Sequence, residues 1–128
     1  MKKLNWLIVI SLLLLLATAV ACRPGQQVEI LPAPIHEVSV SIAESFPPQV
    51  MVYFKGGLPS GCTSFHGLKA ERSGNTINIT VTIQRPKGVV CTQVYGYFEQ
   101  NVNLGSDFVS GQTYTINVND WTTSFVMQ

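Results

Sequence analysis

The chain has 128 residues, 46% of them hydrophobic and only 12% charged, with a formal net charge of +1. That length holds one modest domain, the apolar content excludes a disordered chain, and the near-neutral balance excludes nucleic-acid binding through a dense basic surface. The positive sign is local: Lys2 and Lys3 lie in an apolar leader, and without them 6 basic residues stand against 7 acidic ones.

Met1-Lys2-Lys3 precedes a leucine-rich run from Leu4 to Leu16, then the small residues Ala17 to Ala21, then Cys22. A cationic head, an apolar middle and a small-residue end predict a helical secretory signal over residues 1–21. On Ala19-Val20-Ala21-Cys22 the chain resembles a bacterial lipoprotein precursor, although Ala19 stands where that family most often has Leu. The resemblance implies cleavage before Cys22, diacylglycerol joined to its sulfur, and export to the cell membrane or outer membrane, facing periplasm or exterior. With Arg23 rather than Asp after the cysteine, it implies outer-membrane sorting if the envelope has two membranes. Three alternatives stay open. An ordinary signal would leave Cys22 free, and an uncleaved anchor over Leu4–Ala21 would barely span a bilayer. A buried core helix that is apolar all round would need a larger protein to cover it.

Residues 22–34 carry Pro24, Pro32 and Pro34 without periodicity and read as a lipidated cysteine followed by an extended tether. The remaining segment, 35–128, alternates with period two, as half-buried strands do. Val38, Val40 and Ile42 show it first; Ile77, Ile79, Val81 and Ile83 show it most strongly; Tyr114, Ile116 and Val118 repeat it. Turn residues separate seven expected strands near 35–44, 49–55, 62–72, 75–84, 92–104, 112–119 and 121–127. The fold class expected is all-β: an antiparallel immunoglobulin-like β-sandwich of about seven strands, with a small barrel as the alternative.

Once Cys22 is given to lipid, Cys62 and Cys91 remain as a disulfide pair in an oxidising compartment. The competing chemistry is a metal site made from these two with His36 and His66. Four residues of strand between Cys62 and His66 span about 13 Å, too far for one ion unless the backbone turns. A Ser-His-Asp set can be composed from Ser60 or Ser64, His66 and Asp120, but the chain lacks a nucleophile elbow, a phosphate loop and a dinucleotide fingerprint. No catalytic residue, metal or cofactor is expected.

If every strand reverses direction, Lys55, Arg85 and Lys87 gather with the Asn119-Asp120 turn at the disulfide end, where they are placed to meet anionic headgroups. The opposite end then presents Phe46, Pro47, Pro48, Phe108 and Val109, either as a plug for the sandwich or as a patch for an envelope partner. The function expected is a lipid-anchored, non-enzymatic binding or structural module. One alternative is a protease inhibitor, because Gly56-Gly57 and Arg85-Pro86 resemble pieces of the chagasin-like inhibitor pattern, although its Asn-Pro-Thr-Thr-Gly loop is missing. The other is a carbohydrate or small-ligand binder using Tyr95, Tyr97 and Trp121.

Overall fold

Asn78, Thr80 and Thr82 point outward from the segment around residues 77–83, while Ile77, Ile79, Val81 and Ile83 are buried to 2% exposure or less. In the computed structural model this segment is the strand on which one sheet is assembled. The structure describes residues 3, 5, 6, 8–11 and 25–128. Those before residue 25 are helical, and among the described residues no helix is long and apolar enough to cross a membrane. Cys22, with the expected cleavage and lipid site, lies outside them.

Eight strands follow: β1 (Val28–Pro32), β2 (Ile35–Ala43), β3 (Gln49–Leu58), β4 (Ser64–Ser73), β5 (Thr76–Pro86), β6 (Gly96–Gly105), β7 (Thr113–Val118) and β8 (Trp121–Val126). One sheet orders β2-β3-β6. In the other, β4 pairs with one edge of β5, and β1 and β7 share its opposite edge, with β8 beyond β7. There β1 runs antiparallel to residues 82–86, whereas β7 runs parallel to residues 76–79. The inner faces meet in a core of Val50, Val52 and Phe54 from β3, the β5 isoleucines and valine, and Tyr114, Ile116 and Val118 from β7. Each such side chain contributes about 1.5–3 kcal/mol by leaving water. The all-β sandwich is therefore the fold.

Four details differ from the sequence reading. Val28–Pro32, inside the expected tether, is a strand, so the sandwich has eight strands rather than seven and begins before residue 35. Its only core-packed apolar residue is Leu31, too little to produce a visible period. The chain changes sheets at Ala33-Pro34: Ala33 N donates to Val81 O at 2.9 Å in one sheet, and Gly57 N donates to Pro34 O at 2.9 Å in the other. Next, β6 starts at Gly96, which leaves 87–95 as a long loop. Finally, because β5 and β7 are parallel, the sheet is mixed, and the Asn119-Asp120 turn sits partway along β5 rather than at the disulfide end.

Candidate functional site

The two ends of the sandwich carry different chemistry. Loops 59–63 and 87–95 share one end with the start of β1, because Val28 pairs with Pro86 and Leu58 with Gly96. Cys62 and Cys91 join these loops as a disulfide with Cα atoms 5.5 Å apart, and Gly61 N donates to Thr92 O at 2.8 Å. A cleft of about 390 Å³ opens there between Ser60, Arg85, Lys87 and Gln93.

With both thiols bonded to each other, the metal set of Cys62, Cys91, His36 and His66 loses its sulfur ligands. The two histidines share a structural origin instead. His36 is the extra residue at the β2–β3 irregularity between Ile35 and Glu37, and His66 is the extra residue between Phe65 and Gly67 in the β4–β5 pair. A bulge re-aims the side chain it carries. His66 Nδ1 lies 2.9 Å from Thr82 Oγ1, and His36 Nε2 lies 2.6 Å from the Tyr95 hydroxyl.

Around His36 an aromatic cluster forms that sequence reading did not assemble. His36, Tyr95 and Tyr97 pack edge to face, with ring centroids 5.3–5.7 Å apart. Gly57 is its floor: a Cβ there would fall 2.0 Å from the Tyr95 hydroxyl and 2.8 Å from His36 Nε2. Lys55 Nζ stands 4.5 Å over the Tyr97 ring, an arrangement the ring's negative face stabilises. Tyr95 and Tyr97 are inclined by 61° rather than coplanar, and Trp121 lies apart, beside Asn119 and Pro34. Gly56 and Gly57 belong to β3, with Gly56 under the Phe98 ring, and neither is in a loop.

The three cations expected at this end therefore have separate roles. Arg85 Nε is paired with Glu29 Oε2 at 2.9 Å and Lys55 covers Tyr97, whereas Lys87, exposed at the cleft, is the one of these three without an ion-pair or ring partner among the described residues. The cue for Arg85 was Glu29, hidden within a segment read as tether.

At the opposite end the β2–β3 loop, the β4–β5 turn and the β6–β7 loop come together. Phe46 there is fully exposed, Pro47 and Val109 are exposed, and Pro48 is half-buried. Phe108 behaves differently. Its ring packs edge-on against Tyr114 at 4.8 Å and tilted against Phe125 at 5.8 Å, and the Arg72 guanidinium covers it at 4.5 Å. Arg72 Nη1 also donates to the Asp107 carbonyl, and Val109 N donates to the Tyr114 hydroxyl at 2.8 Å. So Phe108 closes the sandwich, and Phe46 with Val109 remains as free apolar surface.

These features define an all-β sandwich with one disulfide-pinned end and one open end. The chain belongs to the ORF11 β-sandwich domain family, whose model matches residues 52–127. It is similar to an uncharacterised 10.2 kDa protein in the HgiCIIM 5' region of Herpetosiphon aurantiacus, 44% identical over 86 residues that cover 67% of this chain and 90% of that protein. Two further uncharacterised 10.2 kDa proteins of that organism, in the HgiBIM and HgiEIM 5' regions, are each 47% identical over 76 residues, 59% of this chain and 92% of theirs. No solved structure matches the chain.

Proposed function

We propose that the protein is a lipid-anchored, non-enzymatic binding module of the cell envelope that offers the Phe46 end of its sandwich to an envelope protein. The carrying observation is the polarity of the domain. The chain enters at the disulfide end, where Lys87 N donates to Gln27 O at 2.8 Å, and the fully exposed Phe46 lies at the other end. An 11-residue strand such as β5 separates the two ends by roughly 35 Å. An anchor at Cys22 would thus turn Phe46 away from the bilayer. The lipoprotein-like leader supports the anchor, and a nonpolar ring left in water on a loop supports a partner. Binding rather than catalysis is the reading that the exposed ring supports; the two described cysteines are joined to each other, and each histidine has a hydroxyl neighbour, His36 that of Tyr95 and His66 that of Thr82.

The test has two arms. Cys22→Ala should move the protein from the membrane fraction to the soluble one or stall its processing; unchanged retention with normal maturation removes the anchor. A photo-crosslinking side chain at position 46 should give a discrete adduct in living cells that the same group at position 101 does not. Equal adducts from both positions, or none, remove the partner site.

A further inference from the structure

The loop joining β5 to β6 reads Lys87-Gly88-Val89-Val90-Cys91-Thr92-Gln93-Val94-Tyr95. The disulfide at Cys91 and the Gly61–Thr92 backbone bond hold its middle in place. Nevertheless Val89, Val90 and Val94 are 47%, 99% and 65% exposed. A single exposed valine is ordinary, but this pinned loop carries three within six residues. Next to them lie the exposed rings of Tyr95 and Tyr97 and the free ammonium of Lys87.

The start of the domain lies against this same loop. Lys87 N donates to Gln27 O at 2.8 Å and Gln26 Nε2 donates to Lys87 O at 3.1 Å. Gln27 is five residues beyond Cys22 in the sequence, a contour of at most about 17 Å. An acyl chain on Cys22 would therefore keep this loop within that distance of the headgroups. Valine for the acyl boundary, tyrosine at headgroup level and lysine for lipid phosphate are the residue types that an interfacial contact uses.

We infer that the Lys87–Tyr95 loop is a second membrane contact, in which Val89, Val90 and Val94 enter the headgroup–acyl boundary beside the anchor and fix the domain upright on the bilayer. This rests on the lipid anchor proposed above. It differs from that proposal in assigning to the folded domain a lipid-binding surface of its own. Arg85 and Lys55 are not needed for it, since Glu29 and Tyr97 engage them.

The test uses the full chain matured in a bacterial host and reconstituted into phosphatidylethanolamine–phosphatidylglycerol vesicles carrying spin-labelled lipid. Val90→Cys, Val94→Cys and Phe46→Cys each receive an environment-sensitive dye. The inference expects blue-shifted, quenched emission at positions 90 and 94 and water-like emission at 46. Water-like emission at all three overturns it. The mass of the N-terminal peptide reads the anchor separately. If Cys22 carries no acyl group the anchor reading fails, and the loop is then judged by adding the same vesicles to the unacylated protein. Quenching at 90, weakened about tenfold or more in affinity by a second-site Val94→Glu, upholds the loop; no quenching overturns it. Because Val90 and Val94 are exposed, an unchanged thermal midpoint in each variant shows that folding is not what the dyes report.

Discussion

The side chain of Asn119 makes to Val81 the two hydrogen bonds that a neighbouring strand would make. Its carbonyl oxygen accepts from Val81 N at 2.9 Å, and its amide donates to Val81 O at 2.9 Å. The same amide donates to Ala33 O at 2.8 Å. On that edge of β5, pairing with β7 stops at Ile79 and pairing with β1 begins at Thr82. Asn119 fills the interval with a side chain, from a turn in which its own φ is 50°. Asparagine suits both demands, since it tolerates the left-handed region and carries a donor and an acceptor on one short stem.

Asn119→Ala should accordingly be costly for a turn residue. It leaves Val81 N–H and the Ala33 carbonyl without partners in a part-buried position, at about 1–3 kcal/mol each. Asn119→Gly keeps the backbone conformation and loses the same bonds, so it should recover only the smaller strain component. Urea unfolding with an unchanged slope checks this. A loss below about 0.5 kcal/mol for the alanine variant would mean that water replaces the side chain.

How much of this was legible depended on distance along the chain. The β5 alternation is local, and β-branched residues with period two announce a strand without knowing its neighbours. The Cys62–Cys91 bond was legible by counting. The parallel β5–β7 pair was not, because the expectation of strict reversal contains no information on which edge a later strand finds. β1 leaves no local signal, because its partners, Gln84 and Arg85 among them, lie 50 or more residues away and it buries little. Phe46 and Phe108 look alike in sequence, each beside turn residues. What separates them is Arg72, which arrives from β4 to cover Phe108 and has no counterpart over Phe46.

That difference predicts opposite outcomes for one substitution. Phe108→Ser removes a ring packed on Tyr114 and Phe125 and uncovers Arg72, and should destabilise the domain by about 2–4 kcal/mol. Phe46→Ser should stay within about 0.5 kcal/mol. Parallel denaturation curves decide it. Comparable losses at both positions would make Phe46 part of the fold and withdraw it as a binding surface.

Removing the disulfide should be felt mainly through the unfolded chain. Cys62 and Cys91 are separated by 29 residues, and closing such a loop corresponds to about 3.5 kcal/mol in the chain-entropy account. Cys62→Ala with Cys91→Ala should lower the melting temperature by on the order of 15–25 °C. It should also free the Lys87–Tyr95 loop, which faster amide exchange at Thr92 and Gln93 would report. A loss of stability without faster exchange there would show that Gly61 and the flanking strands hold the loop unaided.

On the outer face of β3, Tyr53 gives a prediction in pH. Its hydroxyl donates to Glu99 Oε1 at 2.8 Å. That bond is the first cause that pushes its pKa from 10.0 up to about 12, followed by partial cover and the charges of Glu99 and Glu37. A phenol whose pKa is raised on folding holds its proton more tightly in the folded state. Its contribution to stability is therefore complete below pH 10 and disappears as pH rises from about 10 through about 12. Titrating phenolate absorbance should show a late component that Tyr53→Phe removes. Glu99→Gln should move that component back toward 10, because the neutral amide accepts the hydrogen bond without the charge that holds the proton. If the late component survives Tyr53→Phe, it belongs to another tyrosine, and the Tyr53–Glu99 bond is too short-lived in solution to govern the proton.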